Sequence, residues 1–227
     1  MATATAAAKA KAVFGSWKLI LRVGLPAAGT NLAVPLSMGV ITSLMAYFGN
    51  EAVAAFGVAT RIELFSLLVL AALGSVTIPF VGQNWGAGRR DRVEKGVKQG
   101  FVFCLLWGGL AAVALAVWAE PLVRIFDDNT KVVSVAVLYL LIVPISYGAR
   151  GVIMISCATF NGLGKPLASV VMILSRSIVL YLPLAYLGKW LLGYKGVFIG
   201  ASVCNLSIGL LGIIWTMRIW RGRASTA

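Results

Sequence analysis

Long stretches of this chain carry no charged side chain: residues 23–50, 64–88, 99–119, 132–149 and 196–217. A helix that crosses the hydrocarbon core of a bilayer needs about 20 apolar residues, within a range of roughly 17–25. Hydrocarbon offers the backbone no hydrogen-bond partner, so each such run must satisfy its own N–H and C=O groups by coiling. Composition agrees. The chain is 60% hydrophobic and 12% charged, where a soluble domain is about 45–50% apolar. The sequence therefore specifies an all-α integral membrane protein.

Six helices are predicted, over about 17–48, 52–82, 93–119, 131–160, 167–187 and 196–220. Breaks separate them: Gly49-Asn50, the run GQNWGAGRR from Gly82, Glu120-Pro121, NGLGKP from Asn161 and LGYKG from Leu192. Residues 120–129 are expected to hold a short interfacial turn. The domain plan is an N-terminal tail or linker (1–18), a six-helix transmembrane bundle (19–220) and a C-terminal tail (221–227).

The net charge of +13 invites a nucleic-acid reading, but its placement argues for topology instead. Thirteen basic residues flank one predicted face: Lys9, Lys11, Lys18, Arg22, Arg89, Arg90, Arg92, Lys95, Lys98, Lys165, Arg218, Arg221 and Arg223. Only Arg124, Lys131, Lys189 and Lys195 flank the other. The positive-inside rule puts the first face, with both termini, in the cytoplasm, and an even helix count requires the termini to share a side. Nucleic acid is thus excluded as a partner, and the expected location is the plasma (inner) membrane. Residues 1–18 lack the apolar core of a signal peptide.

Histidine is absent, which removes the usual proton shuttle and the commonest metal ligand. Cys104, Cys157 and Cys204 each sit in an apolar run without CxxC spacing, so packing is their expected role. No metal and no cofactor is expected.

Glu63 is the only acid inside the long apolar stretches, and Arg61, Arg150 and Arg176 are the bases there. A charge at bilayer depth costs at least about 2.5–3.5 kcal/mol on insertion scales and is generally kept for a function. Arg61 and Glu63 are two residues apart, so a helix points them about 200° away from each other. Two readings stay open: a cavity-lining site for substrate or ions, or an interhelical ion pair of Glu63 with Arg150 or Arg176. Arg61 is also near enough to its helix start to snorkel to the membrane face. Asn31 and Pro35 interrupt the first helix. Pro35 frees a backbone carbonyl, and broken helices line transporter cavities, although a kink for packing explains them equally well. Thr60, Ser37 and Asn205 are weaker cavity candidates. The Gly196-x-x-x-Gly200 pair is read as close helix packing. Gly82, Gly86 and Gly88 permit a tight reversal at the membrane face, and Gly162-Leu-Gly164-Lys165 echoes Gly86-Ala-Gly88-Arg89.

The segment GNEAVAAFGVATRIELFSLLVLAALGSVTIPFVGQNWGAGRR, from Gly49, resembles the multidrug and toxic compound extrusion (MATE) family. The resemblance lies in the small-residue entry AVAAFGVATRIE, the inner Pro79 and the Gly82-Gln83-Asn84-Trp85-Gly86-Ala87-Gly88-Arg89 loop. The second loop, FNGLGKP from Phe160, is similar to the family's too. It is followed by a helix with central Arg176 and late Pro183. The opening LRVGLPAAGTNLAVPLSMGVITSLMAYFG looks like the first helix of a family half. The family has two six-helix lobes, and this chain resembles the C-terminal one.

The resemblance implies proton- or sodium-driven antiport of amphipathic, often cationic, organic compounds. This lobe would rock against a second six-helix lobe, either an N-terminal half or another copy, around a central cavity. The partners implied are membrane lipids, small organic substrates and that second lobe. Some family branches carry an acid in the helix of Asn31 and Pro35; none stands there here. Lipid-linked oligosaccharide flippase-like transport and a non-transporting half are the alternatives. Membrane-enzyme readings fail, because no Gly-x-Ser-x-Gly with histidine and no clustered aspartates are present.

Overall fold

A computed structural model describes Trp17 and residues 32–221. Asn31, most of both predicted tails and the opening of the first helix lie outside the described residues. The described chain is helical throughout. Helix α1 (Leu32–Ala46) is followed by α2 (Asn50–Gly86) and α3 (Arg90–Arg124). Next come α4 (Thr130–Ile142) and α5 (Tyr147–Gly162), joined by a 3₁₀ turn at Val143–Ser146. Helices α6 (Pro166–Leu174) and α7 (Tyr181–Leu192) are joined by a π segment at Ser175–Leu180, and α8 (Tyr194–Arg221) closes the bundle. Five continuous spans among the described residues are long and apolar enough to cross a membrane: α2, α3, α4–α5, α6–α7 and α8.

The spans outrun their predicted bounds. At 1.5 Å per residue, 37-residue α2 is about 55 Å long, well beyond a hydrocarbon core of about 30 Å. The predicted loop at Gly82, Gln83, Asn84 and Gly86 is therefore a correction: these residues form the last turn and a half of α2. Asn84 Nδ2 donates back to Phe80 O at 2.8 Å, and Gly82 faces the Gly162 carbonyl of α5, so both residues serve the helix. Gly162 likewise ends α5 rather than standing in a loop. Its missing side chain lets α5 lie on the Ile78 carbonyl and on Val81. The predicted turn at 120–129 also shortens to 125–129. The helix continues through Pro121, and Arg124 pairs with Glu120 at 2.8 Å across one turn.

The reversals themselves are matched. At the α2–α3 turn, Ala87 N–H bonds Gln83 O, Gly88 N–H bonds Trp85 O and Arg89 N–H bonds Asn84 O. At the α5–α6 turn, Leu163, Gly164 and Lys165 bond Thr159, Asn161 and Phe160 with the same spacing. This is the Schellman arrangement, and it needs a left-handed residue after the helix. Gly88 (φ 73°) and Gly164 (φ 69°) supply it.

Short turns make the spans antiparallel, so the α2–α3 and α5–α6 turns share one face. The turns before α2, after α3 and after α7 share the other. Contacts at that other face confirm it. Lys131 reaches Glu51 at 3.7 Å, and Phe48 meets the Tyr194 ring at 5.9 Å. The basic cluster 89–98 and Lys165 therefore lie together at one end of the bundle.

Two breaks fall mid-span, and proline chemistry explains both. Pro144 has no N–H to close an α-helical bond, and its ring crowds the carbonyl four residues back. The chain tightens there to 3₁₀. Pro183 does the same to Val179, inside the π segment just upstream. The α4–α5 span is the central one, the most buried of the five described spans, and α6–α7 is the least buried. Glycines bring neighbours onto it and onto each other. Gly108 of α3 lies against the Gly148 backbone, Gly151 against Cys104, and Gly196 and Gly200 against the α7 backbone at Gly188 and Leu184. Cys104, Cys157 and Cys204 are buried free thiols.

Candidate functional site

Polar side chains converge midway along these spans. Glu63 stands about 20 Å along α2 from Asn50 at helical rise, and it is buried. Each carboxylate oxygen has its own partner: Tyr139 of α4 donates its hydroxyl to Oε2, and Arg150 of α5 donates Nη1 to Oε1. Of the two open readings of Glu63, the ion pair with Arg150 is formed, and Tyr139 is an unforeseen third member. Tyr139 and Arg150 are about three helical turns apart on one span, which sets them on one face. A tyrosine within an apolar run reads as core packing, so spacing from Arg150 was the sole signal for it. Its ring also packs edge-on against Phe56 and Phe198, at centroid distances of 5.8 and 5.0 Å. That fixes where the hydroxyl points.

A second polar chain joins the two helix breaks through α8. Arg176, in the π segment, donates Nε to Asn205 Oδ1 at 2.9 Å. Asn205 donates Nδ2 to Ser146 Oγ at 2.9 Å, and Ser146 donates to Val143 O at 2.8 Å within the 3₁₀ turn. Ser202 of α8 donates to Ile142 O at 3.1 Å, and Cys204 Sγ lies 3.2 Å from Arg176 O. Carbonyls loosened by irregular helix geometry thus meet α8 donors, as a span in hydrocarbon requires.

The two chains border a shared space. One cavity, of about 180 Å³, is walled by Glu63, Tyr139, Arg150, Arg176, Tyr181 and Asn205 among others. A second, of about 420 Å³, includes Arg150 and Arg176 with mainly apolar residues such as Ile78, Ile153, Met154 and Ile173. Both arginines line both cavities.

Of the remaining predicted residues, Ser37 lines the smaller cavity, and Arg61, Thr60 and Pro35 stand apart from it. Arg61 is exposed on the far side of α2, as the 200° offset from Glu63 implies. Thr60 bonds its own helix at Phe56 O and Gly57 O and lines neither cavity. Pro35 is exposed within α1 and lines neither, whereas its neighbours Val34 and Ser37 line the smaller one. Asn31 lies outside the described residues.

Comparison with known proteins agrees with the architecture. The MatE family model matches residues 26–187. An FAD transporter of Shewanella oneidensis is 35% identical over 204 residues, covering 90% of this chain and 45% of the relative. A probable multidrug resistance protein, YoeA, of Bacillus subtilis is 26% identical over 207 residues, covering 87% of this chain and 44% of that protein. The crystal structure of a mutant of the Vibrio cholerae MATE transporter VcmN superposes with a TM-score of 0.87 at 32% identity, over 93% of this chain and 48% of that one. The chain spans about half the length of the relatives it matches. A match over most of the chain, with the same fold at 32% identity, makes this membrane protein a member of the MATE family.

Proposed function

We propose that this chain is one lobe, of C-terminal type, of a MATE exporter. It works by alternating access against a second six-helix lobe, on the same polypeptide or another. Proton- or sodium-driven antiport of amphipathic organic compounds is the reaction. The lobe is set in the plasma membrane with the face bearing Arg89–Lys98 and Lys165 towards the cytoplasm. The carrying observation is the charged and hydrogen-bonded cluster of Glu63, Tyr139, Arg150, Arg176 and Asn205 around cavities midway through an otherwise apolar bundle. Charge at that depth is costly and marks a solute or ion route. The relatives support transport rather than catalysis. One is named for FAD, which adds phosphate-bearing aromatic compounds to the cationic drugs that family membership suggests.

In this reading, Glu63 couples ion to solute. Its two oxygens are held by two groups of the α4–α5 span, so moving that span relative to α2 changes its partners. The test is efflux from vesicles carrying this lobe and the N-terminal lobe of a related protein. Wild type is expected to export in a gradient-dependent way, and Glu63→Gln to lose that dependence while remaining folded. Unchanged gradient dependence in Glu63→Gln removes the coupling role. Efflux by the lone, monomeric chain removes the need for a second lobe.

A further inference from the structure

We propose that Arg176, together with Arg150, is an anion seat that binds the phosphate or carboxylate group of an amphipathic solute. All seven acids of the chain fall within the described residues. Glu51 pairs with Lys131, Glu94 with Lys98, Glu120 with Arg124 and Glu63 with Arg150. Asp127 accepts from the Asn129 N–H in the α3–α4 turn, Asp128 lies in that same turn, and Asp91 opens α3 at the end of the bundle. Arg176 therefore has no carboxylate partner, although it sits about 15 Å along its span from Pro166 at helical rise.

Arginine does not solve this by losing its proton. Its one side-chain hydrogen bond among the described residues uses Nε, towards the neutral Asn205 amide. The terminal nitrogens, which form the fork that matches a carboxylate or phosphate, are left to the cavities. Asn205 is itself held by Ser146, so the guanidinium is positioned before any ligand arrives. Arg150 spends Nη1 on Glu63 and lines the same two cavities. Two cations on one cavity repel, and an anion between them turns that cost into two charge-assisted contacts. The larger cavity has a mainly apolar wall, which suits an uncharged body attached to the anionic head. At about 420 Å³ it lies in the range of drug-sized sites, about 300–1,000 Å³.

The proposal names the solute chemistry of the transporter reading and rests on it only for the cavity being on the solute's route. The test is equilibrium binding, which does not need transport to work. The purified full chain, in nanodiscs of phosphatidylcholine, is titrated with 1-naphthyl phosphate, 1-naphthol and a naphthyl trimethylammonium salt, reading tryptophan fluorescence. The phosphate is expected to bind saturably and the other two about tenfold or more weakly, as loss of a charge-assisted pair implies. Arg176→Gln should abolish the preference, Arg176→Lys should retain part of it, and Arg92→Gln, exposed at the start of α3, should leave it intact. Asn205→Ala should weaken the phosphate several-fold while leaving naphthol unchanged, since it positions the guanidinium. If Arg176→Gln does not fold, the lysine and Asn205 variants carry the same comparison.

Adding phosphatidylglycerol separates the two sources of phosphate. Competition that disappears in Arg176→Lys assigns the seat to a lipid headgroup, and its absence assigns it to the soluble ligand. Equal or tighter binding of the ammonium salt overturns the proposal. So does phosphate binding that survives Arg176→Gln. Loss of phosphate binding once an N-terminal lobe is associated overturns it as well, because an acid of that lobe is then the partner.

Discussion

Arg150 and Arg176 line the same two cavities, yet the first meets a carboxylate and the second an amide. Each is held by a span other than its own, and each sits beside an irregular stretch of helix. The difference lies in what the fold has closed. The Glu63–Arg150–Tyr139 group gives an acid two partners inside the lobe. The Arg176–Asn205–Ser146 group fixes a direction but leaves a charge open. One cluster joins α2 to the central span, and the other joins the two helix breaks through α8. Substitutions should therefore act differently on the two.

The largest effect is expected at the closed cluster. Arg150→Met leaves Glu63 buried with only a hydroxyl partner. Removing one member of a buried pair costs about 3–5 kcal/mol. The thermal midpoint of the protein in detergent should fall sharply, with loss of monodisperse protein on size exclusion. Glu63→Gln added to Arg150→Met should recover much of the loss, because no unpaired charge then remains. A double variant no better than the single would show that Arg150 acts through packing and not through Glu63.

A smaller effect is expected at the joint between the helix breaks. Asn205→Ala removes the acceptor of Arg176 Nε and the donor to Ser146 Oγ, whose hydroxyl still bonds Val143 O. An unsatisfied buried polar group costs about 1–3 kcal/mol, so the midpoint should shift less than in Arg150→Met. Asn205→Asp should recover stability, since it places a carboxylate against Arg176. If Asn205→Ala is silent, the two breaks are held by the Ser202 and Cys204 contacts and by helix packing, without need of the Asn205 amide.

The sequence made some of this visible and hid the rest for physical reasons. Spans and turns were legible because hydrocarbon demands apolar length and reversals demand a left-handed residue. Gly88 and Gly164 carry the same signal and make the same bonds. The predicted loop at 82–86 failed because glycine and asparagine also occur inside helices. There Gly82 and Gly162 serve close approach, and Asn84 bonds back to its own helix. Glu63 stood out by charge, and the offset from Arg61 correctly opposed their directions without saying which faces inward. Arg150 and Arg176 looked alike, since only the assembled bundle decides which arginine reaches the acid. Tyr139 and Ser146 were camouflaged among apolar neighbours. The π segment has no sequence mark beyond Pro183, four residues past the carbonyl it displaces.

The smallest stability effect is expected at Arg176 itself, and that makes it the sharpest test of the contrast. Arg176→Gln removes a charge that forms no ion pair within the lobe, while glutamine keeps a donor for Asn205. Lost hydrogen-bond energy and relieved burial of an unpaired cation oppose each other. A net change within about 1 kcal/mol is the expected balance. Thermal unfolding of Arg176→Gln beside Arg150→Met under the same conditions reads the difference directly. Equal, large losses would mean that Arg176 is as structurally closed as Arg150, and the distinction between the clusters would fall. A near-silent Arg176→Gln next to a crippled Arg150→Met would mark Arg176 as a charge retained for something other than the stability of this lobe.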